Sequence, residues 1–338
     1  MSYAPPFTLN DRIVTLVADI AQQVGRVAAF EQLKRAPQLR KANRIKTIHS
    51  SLAIENNTLS LEQVTAVIEG KHVVAPAKDV LEVQNAIRVY ERLEDFDPCS
   101  LGDLLRAHGF LMAGLVSEAG RFRGGNVGVF DGDKLVHAGT PAAYVPEVMG
   151  DLFAWLKQGS AHPLVASCVF HYEFEFVHPF QDGTGRMGRL WQTLILGAWN
   201  SLFLWLPVES LVKEHQREYY AVLARCDARA DCAEFVEFML KMISSALDEI
   251  TSLSSGDGIT DGITDGINPE AASVAEQERN RLLKLIEGNP AITMVQMAKA
   301  LNTSQRKIER LVASLKKEGR LVRKGARRNG RWEVEDIR

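Results

Sequence analysis

Four cysteines in 338 residues are too few to organise this chain. Cys99, Cys168, Cys226 and Cys232 match no metal-ligand spacing, and four scattered thiols read as packing residues in a reducing cytoplasm. No apolar run reaches the roughly 20 residues a membrane helix needs, and the N-terminus lacks the pattern of a secretory leader. The expectation is therefore a cytoplasmic protein without a membrane partner. Charge of one sign is missing too. Lys and Arg total 40 against 42 Asp and Glu, a net charge of −2, so no chain-wide signal points to nucleic acid or a lipid surface. The length is enough for two or more domains with real cores.

What is present is mostly helical. The apolar positions in Val80–Leu93, Leu101–Leu115, Val145–Leu156 and Phe235–Ile250 recur at helical spacing and read as core faces. From Ser254 to Pro269 a four-residue Asp-Gly-Ile-Thr unit repeats. It is too short and wrongly spaced for a twelve-residue calcium loop, and a flexible linker over 251–272 is expected.

Beyond the linker the chain turns basic, with Lys316, Lys317, Arg320, Arg323, Lys324, Arg327, Arg328 and Arg331. One helix is marked by Leu282, Leu283, Leu285 and Ile286. Thr293 caps a second with Val295, Met297, Ala298 and Leu301, and Ser304 a third with Ile308, Leu311, Val312 and Leu315. Leu321-Val322-Arg323 and Arg331-Trp332-Glu333-Val334 flank Asn329-Gly330, a hairpin signal. Three helices and a basic hairpin resemble a winged helix-turn-helix over 273–338. Gln305, Arg306 and Lys307 would then lead the third helix into a DNA major groove. A docking or dimerising winged helix needs no DNA, so DNA and a homodimer both stand as partner expectations.

The most informative run is His178-Pro179-Phe180-Gln181-Asp182-Gly183-Thr184-Gly185-Arg186-Met187-Gly188-Arg189. Pro179 disfavours a helical His178, so a preceding helix should end there. Gly183 and Gly185 permit a tight turn whose N–H groups approach a ligand, and Leu190, Leu194, Ile195 and Ala198 begin a buried helix. A glycine-rich turn feeding a helix N-terminus suits phosphate. Arg186 and Arg189 share one helix face and offer forked guanidinium groups. Asp182 is a carboxylate for Mg²⁺ on phosphates, and His178 is a base suited to neutral pH.

This run resembles the signature of the Fic family, His-Pro-Phe-x-Asp/Glu-Gly-Asn-Gly-Arg-x-x-Arg, departing from it at Thr184, where the family usually has Asn. The lead-in His171 and Phe174-Glu175-Phe176-Val177 is also similar. The resemblance implies an all-α fold with a helical Fic core over 90–250 and a short β-hairpin flap. It implies transfer of AMP from ATP to a Ser, Thr or Tyr hydroxyl of a protein target. His178 would deprotonate that hydroxyl and Asp182 would hold Mg²⁺. Gly183 and Gly185 would form the anion nest, Arg186 and Arg189 would grip the β- and γ-phosphates, and Phe180 would anchor the loop. Thr184 keeps a donor but is shorter and β-branched.

In the N-terminal segment, 1–89, Ser51-Leu52-Ala53-Ile54-Glu55-Asn56 resembles the family's inhibitory Ser/Thr-x-x-x-Glu-Gly/Asn helix. Taken alone, the spacing also describes an ordinary capped helix. As an inhibitory element with Ser51 and Glu55 as its marked positions, the helix would pair the Glu55 carboxylate with Arg189 and occupy the place of the γ-phosphate. Gly120 to Gly132 alternates around Val127, Val129 and Phe130 and suggests a hairpin. Val127, Gly128 and Val129 would be its target-docking edge, and Arg121 and Arg123 resemble the family's Gly-x-Phe/Tyr-Arg feature. Pro207 to Tyr220 is similar to the helix that closes on adenine, with His215 or Tyr219 contacting the nucleotide; core packing of Tyr219 or Tyr220 is the other reading. A nucleotide-sensing, DNA-binding regulator with weak transfer is the alternative, and removal of AMP from a modified target is a third reading.

Overall fold

The computed structural model describes residues 3–26, 37–131 and 134–255. In the C-terminal region it describes 282–283, 285–286, 289–290, 292–301, 308, 312, 315, 321–324 and 331–334. The chain separates into two units, Met1–Asp257 and Gly258–Arg338.

In the first unit the described helices are α1 (Asp11–Arg26), α2 (Pro37–Ile54), α3 (Leu61–Ile68), α4 (Ala77–Tyr90), α5 (Leu101–Leu111), α6 (Val145–Gln158), α7 (Pro163–Val177), α8 (Thr184–Trp199), α9 (Val208–Glu214), α10 (Gln216–Arg229) and α11 (Ala233–Ser255). Strands β1 (Gly128–Asp131) and β2 (Lys134–Ala138) form an antiparallel hairpin between α5 and α6. Each expected apolar stripe lies on a helix. α5 stops at Leu111 rather than running to Leu115, because Gly114 takes a left-handed turn at φ 73°. α6 opens with Pro146 in its first turn and closes on Gly159 at φ 64°.

The centre of this unit is the pair α7 and α8. Helix α7 buries residues around its whole circumference, including His171, Ser167 and Glu173, as a helix enclosed by neighbours does. α8 buries Met187, Leu190, Trp191, Leu194 and Ile195. α11 covers α7, and α1 lies along α11. The helices of the N-terminal segment fold into the same unit as the rest of Met1–Asp257. α2 packs on α3, α4 and α9 and reaches α8. Three polar ties hold it: Asn43 Nδ2 donates to the Trp205 carbonyl at 3.0 Å, Gln216 Nε2 to the Ile54 carbonyl at 3.0 Å, and Ser50 and Ser210 hydroxyls meet at 3.2 Å.

Helix α11 continues to Ser255, into the stretch expected as linker. The rest of that stretch, with the Asp-Gly-Ile-Thr repeat, lies outside the described residues. In the second unit, α12 (Met294–Ala300) follows a reciprocal cap, Gln296 N–H on Thr293 Oγ1 at 3.3 Å and Thr293 N–H on Gln296 Oε1 at 2.9 Å. β3 (Leu321–Lys324) pairs antiparallel with β4 (Arg331–Val334). Leu282, Ile286, Met297, Ile308, Val312, Leu315, Leu321 and Trp332 form a small core. Trp332 is fixed by Nε1–H on the Ile292 carbonyl at 3.0 Å. The leading residues Gln305, Arg306 and Lys307 of the expected third helix, and Asn329-Gly330, lie outside the described residues. Among the described residues, no helix is long and apolar enough to cross a membrane.

Candidate active site

α7 ends at Val177 because the next residue is followed by proline and leaves the helical region. His178 takes φ 50° and ψ 63°, a left-handed conformation unusual for a residue with a Cβ, and its N–H still bonds the Phe174 carbonyl at 3.0 Å. The loop then runs to Gly183, at φ 86°, which caps α8. A Cβ at Gly183 would press on Met112 Sδ at 2.7 Å, so the turn requires glycine. Phe180 is fully buried. It stacks on His108 with ring centroids 3.6 Å apart and touches Phe122 and Phe174.

His178 has a buried Nδ1 with no protein partner. Burial pushes its pKa below the ordinary histidine value; Glu175 works against this, while His137 and Arg123 reinforce it. The imidazole is therefore neutral near neutral pH and free to accept a proton. Its carbonyl accepts from Arg123 Nε at 2.6 Å, and the Pro179 carbonyl from the Arg123 N–H at 3.1 Å. Gly139 passes so close that a Cβ there would lie 3.3 Å from His178 Cβ. The hairpin and the loop are thus locked side by side.

The two arginines are both buried and both occupied. Arg186 lies between Glu82 Oε1 at 3.1 Å and Asp182 Oδ1 at 2.7 Å. Asp182 Oδ1 also accepts the Gly183 N–H at 2.6 Å, and its side chain is 43 % exposed. Arg189 donates to Ser51 Oγ at 3.1 Å, to the Ser51 carbonyl at 2.9 Å and to Glu55 Oε1 at 2.8 Å. Burial alone would depress the Arg189 guanidinium; Glu55, with Tyr219 and Glu175, together outweigh it, and the pKa lies above the usual arginine value. The last turn of α2 also presents its carbonyl end to this cation. A Cβ at Gly185 would collide with Glu55 Oε1, so Glu55 lies directly over the first turn of α8. Asn56 closes α2 at φ 66°, a position that Asn or Gly tolerates best.

Thr184 does not present its hydroxyl outward. It is 2 % exposed, and Oγ1 makes long contacts to the Phe180 N–H at 3.4 Å and the Phe180 carbonyl at 3.5 Å. The segment expected as one helix from Pro207 to Tyr220 is two, α9 and α10, broken at His215. There the ring Nδ1 lies 3.0 Å from the Leu211 carbonyl and competes with the backbone ladder. His215 is exposed. Tyr219 is 1 % exposed, inside the core, with its hydroxyl 3.1 Å from His171 Nε2. Its neighbour Tyr220, 46 % exposed, is the open aromatic of this helix. Val127 and Gly128 flank the start of β1, and Val129 pairs with His137. Arg121 is exposed, whereas Arg123 is buried.

Several supporting residues carry no sequence signal of their own. His108 Nδ1 accepts the Gly120 N–H at 2.9 Å and its Nε2 meets the Asp182 carbonyl at 3.1 Å, joining the hairpin stem to the phosphate loop. Burial pushes its pKa down to about 4, which keeps the ring neutral for this bridge. Gly188 lets α8 approach α7, since a Cβ there would lie 2.8 Å from Glu175 Oε1.

A basic loop at a helix N-terminus, a neutral histidine beside it, and a carboxylate lying across an arginine define a protein of the Fic type. Residues 98–196 match the model of the Fic/DOC family. A crystal structure of a Fic family protein from Desulfovibrio desulfuricans G20 is 42 % identical over 99 % of both chains, with a TM-score of 0.72. The chain belongs to this family. It is 29 % identical to protein adenylyltransferase fic-1 of Caenorhabditis elegans, over 80 % of this chain and 55 % of that protein. It is 28 % identical to protein adenylyltransferase Fic of Aedes aegypti, over 64 % and 43 %. The chain thus spans about half the length of the curated relatives it matches.

Proposed function

We propose that the chain is a self-inhibited protein adenylyltransferase that moves AMP from ATP to a hydroxyl side chain of a target protein. The observation that carries the self-inhibition is the Glu55–Arg189 ion pair at 2.8 Å, lying over Gly185. The names of the relatives support the adenylyl donor. His178 Nε2 takes the proton of the target hydroxyl, whose oxygen then attacks the α-phosphorus as pyrophosphate leaves. The N–H groups at the start of α8 and the Arg186 guanidinium hold the departing phosphates. Glu55 keeps Arg189 from the γ-phosphate, which prevents the in-line pose.

Mg²⁺ fits the donor set. Among the described residues no group of three or more His, Cys, Asp or Glu could hold a metal by itself. Asp182 supplies one exposed carboxylate, as suits an ion that takes its remaining ligands from phosphate and water. When bound, the ion neutralises charge on the phosphates. Removing AMP from a modified target uses the same groups, with Glu55 beside the attacking water.

A second reading, a nucleotide sensor whose C-terminal unit binds DNA as a winged helix, draws on one observation. Thr184 spends its hydroxyl on the Phe180 backbone and offers no donor to a phosphate. The basic β3–β4 hairpin would be its wing, and dimerisation through the same unit is its alternative use.

The test is incubation of wild-type, Glu55→Gly and Glu55→Gly/His178→Ala proteins with α-labelled ATP and Mg²⁺. Label in the single variant that is absent from the double variant supports transfer. Equal labelling in both refutes His178 as base. No label in any variant, with ATP still bound, moves the weight to the sensor.

A further inference from the structure

Among the described residues, two side chains, Arg123 and His137, tie the β1–β2 hairpin to the helical core, and they differ in kind. At its base, Arg123 donates to the His178 carbonyl at 2.6 Å, the Gly125 carbonyl at 2.7 Å, the Val177 carbonyl at 3.3 Å and the Thr140 carbonyl. A guanidinium stays charged at any ordinary pH, so this tie is permanent. On the return strand the tie is His137. It stands opposite Val129, where the register shifts and leaves Val136 as an extra residue. A bulge of this kind re-aims the neighbouring side chain.

The His137 ring leaves the hairpin to meet two acceptors on two helices. Nδ1 is 2.8 Å from Asp227 Oδ2 on α10, and Nε2 is 2.7 Å from the Phe176 carbonyl at the end of α7. A neutral imidazole has one N–H and satisfies one of them; only the doubly protonated ring donates to both. Asp227 is itself held, because Tyr172 on α7 donates to its Oδ1 at 2.8 Å. The His137 and Phe176 rings lie 5.0 Å apart.

We propose that His137, as an imidazolium, is a positioning residue that pins the hairpin's return strand to α7 and α10 and so sets where a target segment lies against His178. The meaning for catalysis rests on the transferase reading; the latch itself does not. The charged and titratable groups that face the ring are Asp227 from α10, Glu175 from α7, and His178 in the loop. The Asp227 hydrogen bond raises the His137 pKa above the ordinary value, against the effect of burial, with Glu175 adding to it. The sign follows from that direction. Latch stability is fully present below the pKa of free histidine and is lost as pH rises through the raised value. The hairpin is therefore fastened below the pKa of free histidine and loosens as pH rises through the raised value, while the Arg123 tie persists.

Amide hydrogen exchange on the full chain, compared between low and high pH after correction for intrinsic rates, tests this without a target. In wild type, the amides of 128–138 are protected at low pH and lose protection as pH rises. In His137→Ala and Asp227→Asn they exchange roughly tenfold faster at low pH and no longer respond to pH, as expected for loss of one half-buried pair. His137→Arg, which keeps a cationic donor, restores part of the protection at every pH. Equal hairpin exchange in wild type and His137→Ala at all pH values overturns the proposal. If the variants do not fold, the proton NMR titration of His137 in wild type decides. A pKa above that of free histidine supports the latch, and one at or below it overturns it. Label transfer in Glu55→Gly against Glu55→Gly/His137→Ala then separates the two readings. No label in the parent refutes the transferase, while the exchange result on the latch stands.

Discussion

At the scale of the residue, carboxylates hold the cations that the proposed reaction assigns to phosphates. Arg189 is held by three acceptors from one turn of α2, two of them from Ser51. Removing the carboxylate alone, in Glu55→Gly, is expected to raise label transfer at least about tenfold, since a single charge-assisted hydrogen bond contributes on the order of 1.5–3 kcal/mol. A quantitative labelling time course checks it, and an unchanged rate contradicts the inhibitory role. Ser51→Ala removes one of the three acceptors and leaves the carboxylate, so a smaller rise is expected in the same assay. Thr184 makes a separate prediction. Because its hydroxyl is turned onto Phe180, Thr184→Asn restores an amide at the mouth of the loop, and transfer in the Glu55→Gly background should rise. A fall would mean that the Phe180 contact matters more than the extra donor.

At the scale of the element, the six-residue turn between α7 and α8 is legible in the chain itself. The proline after His178 and the glycines announce a helix end, a turn and a new helix start, and the order of charged groups announces phosphate. The braces that hold the turn are not legible. His108 reaches it from α5 and Arg123, marked in the sequence only by family resemblance, from the hairpin stem; Glu82 on α4 acts through Arg186, which in turn holds Asp182. Each connects residues far apart in sequence, and none has a spacing that local periodicity reports. Tyr219 shows the same limit from the other side. Helical spacing put it on a face with His215 and left a nucleotide contact and core packing both open; the packing under α11 decides for the core. The hairpin was legible from its glycines and alternating apolar residues, but not the bulge that aims His137. Phe180 is the keystone of this element. Phe180→Ala should cost about 3–5 kcal/mol, the range for a fully buried aromatic, read as a lower midpoint in urea unfolding. A loss below about 1 kcal/mol would show that the His108 stack and the aromatic contacts do not anchor the loop.

At the scale of the whole molecule, α2 belongs to the same unit as α7 and α8, so the proposed inhibition needs no separate subunit to bring Glu55 to Arg189. One buried group connects this packing to pH. Burial pushes the Glu209 carboxyl up to about 7, with Arg189, Thr193 and Arg44 opposing. Its second oxygen, Oε2, has no partner. Since the folded pKa lies above the unfolded one, Glu209 costs nothing at pH 4, costs progressively more as pH rises, and reaches its full penalty above about 7. Glu209→Gln should therefore stabilise the protein at pH 8 by about 2–3 kcal/mol and leave it unchanged at pH 4. Thermal melts at the two pH values check this, and an equal shift at both would remove the titration as the cause.

The central claim is that Glu55 occupies the place of the γ-phosphate on Arg189. Isothermal titration of ATP and of ADP into the wild type and Glu55→Gly, with Mg²⁺ present, tests it without knowledge of the target. If the claim holds, wild type binds the two nucleotides with nearly equal affinity, and Glu55→Gly binds ATP at least about tenfold more tightly than ADP, the gain of a charge-assisted arginine–phosphate contact. An ATP-to-ADP ratio that is the same in both proteins would contradict the account.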